Sequence, residues 1–169
     1  WYAFDPKYKG GYRSWWGFET LPEVNEENPS YVEFITGEGG VIDTWLRRGA
    51  AGFRLDVADE LPDDFIEKIR AAVKRVSPEK FLLGEVWEDA TTKYGFGQRR
   101  TYLLGKGLDS VMNYPFKNAV LDFVKGKPAE QAMGEILSIC EHYPAPAMDT
   151  ALNFLSTHDT ERALTVIAD

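Results

Sequence analysis

Three short segments of the chain each place an acidic residue at the end of an apolar run. Asp56 closes residues 52–56, Glu85 closes residues 81–85, and Asp159 follows the apolar part of residues 152–159. Buried strands of a parallel sheet read as short apolar runs, and carboxylates at their C-terminal ends face a ligand crevice. Three such segments, separated by helical ones, predict an active site assembled from several strands of one parallel sheet.

The first acid has a cation two residues before it. Arg54 and Asp56 lie on the same face of the predicted strand, because side chains alternate along a strand. A guanidinium beside a carboxylate favours its ionised form, and the ionised form is the one that a nucleophile needs. The pair predicts a nucleophile with its supporting cation, and the alternative is a structural ion pair under a loop.

The other two acids also allow two interpretations each. Glu85 is followed by Trp87, and a carboxyl among other carboxylates and an aromatic wall is expected to hold its proton and serve as a general acid. The alternative is a solvated glutamate at a strand end. His158 and Asp159 are adjacent, so the spacing does not pair their side chains, and the alternative for them is a turn cap.

Taken together, the three acids fit retaining glycoside hydrolysis. That reaction needs a carboxylate nucleophile and a protonated carboxyl about 5 Å apart on either side of the bond that breaks. A third acid can hold sugar hydroxyls and stabilise the positive charge that develops on the ring. The five Trp, eight Tyr and ten Phe suit sugar faces, although most of these rings are expected in the core.

The pattern along the chain predicts helices alternating with strands after a long aromatic and Gly-rich loop over residues 1–37. Repeated strand–helix units imply a parallel sheet with right-handed crossovers, hence an α/β fold. The predicted strands span residues 52–57, 81–86, 110–114 and 151–156. The predicted helices span residues 39–48, a segment from Asp63 to about 76, 116–141 with an interruption at 126–128, and a segment from Arg162 to 168.

Composition narrows the function classes. The 169 residues carry a formal charge of −8 with no basic stripe, so we expect no nucleic-acid partner. No apolar run approaches the roughly 20 residues of a membrane span, so no membrane partner is expected either. With two histidines a multi-histidine metal site is not expected. Cys140 lies in an apolar helical pattern, which predicts a buried packing role. Both ends look cut, which indicates part of a larger protein.

The same residues resemble the alpha-amylase superfamily of glycoside hydrolases (family 13). Five segments carry the resemblance, in the family order along the chain: LPEVN at 21–25, GFRLDVADE at 52–60, GEVW at 84–87, MNYPF at 112–116 and STHDT at 156–160. The resemblance implies that Asp56, Glu85 and Asp159 are the nucleophile, the acid/base and the third catalytic acid. It also implies substrate-binding roles for Arg54, His158 and Trp87.

The finer resemblance is to the neopullulanase and cyclomaltodextrinase branch. Long-chain alpha-amylases usually carry Lys-His where this chain has Asp59 and Glu60, and Asn where it has Thr157. Both differences favour maltooligosaccharides or cyclodextrins over starch as substrates.

The resemblance also implies which part of the fold is present. The expected fold is α/β, a fragment of a (β/α)8 TIM barrel with roughly barrel strands 4 to 7 and their helices. Residues 1–37 are expected to end the inserted loop region between strands 3 and 4, and residues 38–169 to form the partial catalytic barrel. The family's first motif, on strand 3, is absent from the sequence. The isolated chain is therefore expected to have little or no activity. Its open barrel edges predict either self-association or the covering of one edge by residues 1–37.

The expected partner is an α-glucan or maltooligosaccharide, with no cofactor and no metal among these residues. A calcium site occurs in the family, but its usual ligands lie largely outside this segment. Two rival interpretations remain: a His-Asp metal phosphohydrolase, suggested by His158 and Asp159, and a non-catalytic amylase-like sugar-binding or scaffold protein. The first lacks further histidines apart from His142, and the second usually lacks one of the three acids.

Overall fold

The computed structural model describes residues 1–168, which form helices around a small parallel sheet. The strands are β1 Gly52–Leu55, β2 Phe81–Gly84, β3 Tyr94–Gly95, β4 Gln98–Arg99 and β5 Ser110–Val111. The helices are α1 Pro29–Thr36, α2 Val41–Arg47, α3 Asp63–Val76, α4 Tyr114–Val124, α5 Ala129–His142, α6 Ala145–Asp149 and α7 Ala163–Ala168. Short 3₁₀ turns occupy Lys9–Gly11, Trp15–Gly17 and Ala58–Glu60.

The parallel sheet has the order β1–β2–β5, with Gly52 opposite Phe81 and Leu83 opposite Ser110. A Cβ at position 52 would collide with the carbonyl oxygen of Phe81, so this close pairing requires glycine. Because the strands are parallel, their C-terminal ends meet at one edge of the sheet. That edge holds the residues that follow β1 and β2, including Asp56 and Glu85.

The predicted fourth strand, residues 151–156, is wrong in its extent. Within residues 1–168 this segment makes only one parallel bridge, between Met112 and Leu152. The third strand is also shorter than predicted, because Asn113 caps α4: its side-chain oxygen accepts the Phe116 N–H at 3.2 Å. With Pro115 in the first turn, the chain turns into a helix directly after the strand.

The core lies between the sheet and α3. The buried face of α3 repeats every three or four residues and consists of Phe65, Ile66, Ile69, Ala72 and Val73. This spacing places the side chains on one stripe, which packs against α1, α2 and β2. Burial of each larger side chain of this face contributes about 1.5–3 kcal/mol. The helix therefore anchors β2, the strand that directly precedes Glu85.

The prediction that residues 1–37 form a loop without a helix is wrong at its end. The side chain of Asn28 accepts the N–H groups of Ser30 and Tyr31, and Pro29 opens α1. Asn followed by Pro is a strong helix start, and the aromatic, Gly-rich surroundings obscured it. The preceding residues fold through isolated antiparallel bridges: Tyr2 with Val24, Phe4 with Tyr12 and Ser14 with Pro22.

The predicted burial of Cys140 is also wrong, because the residue is exposed on α5. The neighbouring Ile139 is the buried one, and successive helical residues differ by about 100° around the axis. An apolar pattern that covers most of a helix does not say which of two adjacent residues faces inward. Among residues 1–168, no helix is long and apolar enough to cross a membrane.

Candidate active site

Arg54 contacts the carboxylates at the ends of both β1 and β2. Its Nη1 forms a short ion pair with Oδ1 of Asp56, and its Nη2 lies 3.0 Å from Oε1 of Glu85. The two partners differ in environment, since the Asp56 side chain is 74% exposed and the Glu85 side chain is 5% exposed. One guanidinium therefore holds an open carboxylate and a buried one next to each other.

Three groups donate hydrogen bonds to Glu85, in addition to its ion pair with Arg54. The Val57 N–H donates to Oε2 at 2.8 Å, while the Trp87 indole and the Tyr114 hydroxyl donate to Oε1 at 3.2 and 3.3 Å. Val57, which makes the shortest of these three contacts, has a left-handed backbone, with φ of 45°. That conformation costs about 1–2 kcal/mol in a residue with a Cβ, and such strain clusters at functional sites. A strained backbone position directly after Asp56 therefore contributes one of the contacts that hold the Glu85 carboxyl.

An aromatic wall stands behind Glu85. The rings of Trp87 and Tyr114 stack with centroids 4.3 Å apart, and Phe154 meets Tyr114 edge-on at 4.8 Å. Burial is the main cause that raises the pKa of Tyr114, so its hydroxyl stays protonated and remains a donor to Glu85. Trp87, for which a substrate-binding role was predicted, therefore lies against Glu85 and forms part of this aromatic wall.

His158 and Asp159 lie in a turn after the bridge at Leu152. The Asp159 N–H donates to the Thr157 hydroxyl at 3.2 Å, and Nε2 of His158 lies 3.0 Å from Oδ2 of Asp159. The two adjacent side chains do meet, which the sequence spacing did not indicate. His158 is 74% exposed at its side chain and contacts Asp159 from the solvent side.

The three predicted acids line one cavity of about 600 Å³. Asp56, Glu85, Asp159 and Trp87 line it, whereas Arg54 lies behind the first two acids and His158 is not among its lining residues. Asp59 and Glu60, two of the positions that distinguish this chain from long-chain alpha-amylases, also line the cavity. The remaining lining residues were not predicted from the sequence; they are Trp15, Trp16, Val57, Glu88 and Lys93. The adjacent tryptophans before Gly17 were visible in the sequence, but their distance along the chain from Asp56 concealed their location.

Lys93 is the cation of this cavity. Its Nζ lies 3.1 Å from Oδ2 of Asp59 and 2.6 Å from Oε2 of Glu88. Burial lowers the pKa of Lys93, but the contacts with Glu88 and Asp59 outweigh burial and raise it. Lys93 therefore stays charged. Among residues 1–168, no group of three His, Cys, Asp or Glu side chains is arranged to hold a metal ion.

Comparison with known proteins places this geometry in a family. The family "Alpha amylase, catalytic domain" matches residues 7–169. The chain is 36% identical to an amylopullulanase of Thermoanaerobacter thermohydrosulfuricus, covering 98% of this chain and 12% of that protein. It is 37% identical to a cyclomaltodextrinase of a Bacillus species, covering 88% of this chain and 25% of that protein.

A solved structure agrees with these sequence matches. The cyclic alpha-maltosyl-(1→6)-maltose hydrolase of Arthrobacter globiformis, in complex with that sugar, superimposes with a TM-score of 0.87. It is 27% identical, covering 99% of this chain and 37% of that chain. The chain thus spans about an eighth to two fifths of the relatives named here, and the predicted fold class, a part of a (β/α)8 barrel, is confirmed. The chain belongs to the alpha-amylase family of glycoside hydrolases.

Proposed function

We propose that this chain supplies the catalytic carboxylates of a retaining glycoside hydrolase that cleaves α-glucosidic bonds of maltooligosaccharides, cyclodextrins or starch-derived glucans. One observation carries the proposal: Arg54 contacts both Asp56 and Glu85. Retaining enzymes hold their two carboxyls about 5 Å apart, whereas inverting enzymes leave about 6.5–9.5 Å for a water molecule. A single guanidinium that reaches both acids favours the shorter spacing.

The roles follow from exposure and contacts. Asp56 is open to the cavity and attacks the anomeric carbon, forming a glycosyl ester as the bond to the leaving oxygen breaks. Glu85 gives its proton to that oxygen, then accepts a proton from the water that hydrolyses the ester. Asp159 faces the same cavity, where its charge stabilises the positive charge that develops on the sugar ring.

The charges of the cavity favour a neutral sugar. Six carboxylates line it, together with the single ammonium of Lys93; the six are Asp56, Asp59, Glu60, Glu85, Glu88 and Asp159. An excess of negative charge repels phosphorylated sugars and stabilises an oxocarbenium-like transition state. We therefore expect maltotriose to bind in preference to glucose 1-phosphate, whose two negative charges would face this surface.

We expect the isolated 169-residue chain to turn over maltooligosaccharides slowly or not at all. The chain spans a quarter or less of the curated relatives named above, and the active site of a (β/α)8 barrel draws residues from the ends of several strands. Positioning of the substrate dominates such rates, and here Asp56 is largely exposed. A single chemical step with an activated sugar makes a smaller demand on positioning than full turnover.

Covalent trapping tests the proposal at this single step. The chain is incubated with a 5-fluoro-α-glucosyl fluoride, whose good leaving group removes the need for proton donation, and labelled peptides are mapped by mass spectrometry. We expect one label on Asp56, no label in D56N, and an unchanged label in the surface variant D122N, since the Asp122 side chain is 51% exposed on α4.

The outcome separates an enzyme from a scaffold. Labelling of Asp56 without turnover of maltotriose supports both parts of the proposal. Absence of any label on Asp56, in a chain with unchanged circular dichroism, contradicts the catalytic role. Intact maltotriose binding in that unlabelled chain favours a non-catalytic sugar-binding protein. Rapid turnover of maltotriose by the chain contradicts the expected inactivity alone.

A further inference from the structure

Two adjacent tryptophans share one carboxylate at the rim of the catalytic cavity. The indole N–H of Trp15 donates to Oε2 of Glu60 at 2.6 Å, and that of Trp16 donates to Oε1 at 3.0 Å. Their rings are stacked, with centroids 5.3 Å apart and planes inclined by 27°. Each carboxylate oxygen is therefore used by one indole, and the pair is held as a unit.

Trp16 combines a strained backbone with an exposed side chain. Trp16 has φ of 50°, a left-handed conformation that is uncommon for a bulky residue. Its ring is nevertheless 76% exposed, so burial of apolar surface does not explain the conformation. Strain of about 1–3 kcal/mol persists where the surroundings impose it, and it is concentrated at binding sites.

The location connects the pair to the catalytic acids. Glu60 ends the 3₁₀ turn Ala58–Glu60, four residues after Asp56 on the same loop. Trp15, Trp16 and Glu60 line the cavity that also contains Asp56, Glu85 and Asp159. A sugar bound across the acids therefore extends toward an exposed indole face.

We propose that Trp15 and Trp16 form an aromatic platform that binds one pyranose ring of the α-glucan beside the cleaved bond, with Glu60 as its positioning residue; this inference rests on the proposed function. The C–H face of a pyranose ring packs on an indole face, and ligand sites combine such apolar surfaces with a few fixed polar groups. Because both indole N–H groups are occupied by Glu60, the surface left to the sugar is the ring face. The carboxylate oxygens retain lone pairs for a sugar hydroxyl.

A purely structural role is the competing explanation. The bonds from Trp15 and Trp16 to Glu60 span 45 and 44 residues and could serve only to attach residues 1–37 to the barrel. The two explanations differ in what E60Q does. A side-chain amide has one acceptor oxygen and a donating NH2 group, so only one of the two indoles keeps its acceptor in that variant. The platform is then disordered without loss of side-chain volume.

The test follows the five indole N–H signals of the ¹⁵N-labelled chain by nuclear magnetic resonance during titration with maltotriose. Single Trp→Phe variants assign the signals. We expect the Trp15 and Trp16 signals to move, and the affinity for maltotriose to fall roughly tenfold in W16A and by a smaller factor in W16F, which keeps a ring. E60Q should weaken binding by about threefold to tenfold and shift both free-state signals.

Two matched controls lie outside the cavity. Trp45 is 52% exposed on α2, and Glu67 is exposed on α3, so W45A and E67Q should leave the affinity unchanged. If W16A fails to fold by circular dichroism, W16F still tests the platform, because loss of the N–H with retention of the ring must preserve part of the affinity.

The outcomes for the platform and for the proposed function differ. Movement of the Trp87 signal alone overturns the platform and leaves the catalytic assignment intact. Absence of any movement together with covalent labelling of Asp56 also overturns the platform alone. Absence of both movement and labelling overturns both proposals. An unchanged affinity in E60Q, with W16A weakened, removes the positioning role of Glu60.

Discussion

Substitution of Asp109 by Asn should destabilise the fold strongly. Asp109 precedes β5 and accepts from Nη1 of Arg70 at 2.7 Å, from Nζ of Lys74 at 2.8 Å and from the Leu82 N–H at 2.8 Å. Arg70 and Lys74 belong to α3 and Leu82 to β2, so one carboxylate joins the main core helix to the strand that directly precedes Glu85.

The size of the effect follows from these contacts. D109N preserves volume but removes the charge, and its NH2 group faces one of the donors. Each hydrogen bond to a charged partner contributes about 1.5–3 kcal/mol. The Arg70 and Lys74 side chains retain 21% and 26% exposure, so water partly replaces the lost acceptor. For two charge-assisted bonds with this discount, we expect a loss of about 3 kcal/mol in the free energy of unfolding.

Urea unfolding followed by far-ultraviolet circular dichroism measures this loss. The matched control is D122N, which breaks the ion pair between Asp122 and Lys127 at 2.8 Å. Because the Asp122 side chain is 51% exposed, we expect a change below about 1 kcal/mol there. The same substitution then compares a partly buried carboxylate that joins two elements with an exposed carboxylate in a surface ion pair.

The loss should also depend on pH with a defined sign. Burial raises the pKa of Asp109, but the hydrogen bonds from Lys74 and Arg70 outweigh it and hold the pKa below its ordinary value of 3.8. Ionised Asp109 therefore stabilises the fold above pH 3.8, and this contribution is lost as the pH falls through the lower folded value. The difference between wild type and D109N should narrow in that acidic range.

Equal losses in D109N and D122N at pH 7 would refute the stabilising role assigned to Asp109. A difference between wild type and D109N that grows as the pH falls below 3.8 would equally contradict the assigned sign. A loss confined to the unfolding slope, without a change in midpoint, would indicate an effect on the unfolded state instead.

Three further substitutions test the packing. G134A should stabilise the chain by about 1 kcal/mol in urea, because Gly134 lies inside α5 and nothing lies within 4 Å of a Cβ there; an unchanged midpoint would refute this. G52A should destabilise it by at least about 3 kcal/mol, because the added Cβ collides with the backbone of Phe81; a neutral result would show that β1 and β2 separate easily. Y143F should cost about 1 kcal/mol by removing the acceptor of the Ala90 N–H at 3.3 Å. Burial raises the pKa of Tyr143 to about 12, so the wild type should lose stability between pH 10 and 12 more steeply than Y143F does.

Much of the fold and part of the candidate site could be predicted from local patterns. The 3.6-residue repeat of α3 and the apolar runs of β1 and β2 were sufficient to predict these three elements. The spacing of apolar residues along the chain directly reflects which face of an element is buried. The acids at the strand ends followed from the same runs. Where a pattern was ambiguous the prediction was wrong: Cys140 is exposed beside buried Ile139, and residues 151–156 make a single bridge.

The sequence by itself determined that Asp56 and Glu85 end neighbouring parallel strands, because strand ends and crossover helices are local features. Only the tertiary structure decided that Arg54 joins the two acids, that Tyr114 and Trp87 form the wall behind Glu85, and that Trp15 and Trp16 reach the cavity from 44 or more residues away. These contacts depend on loop paths and on backbone angles such as those of Val57 and Trp16, which residue types do not specify.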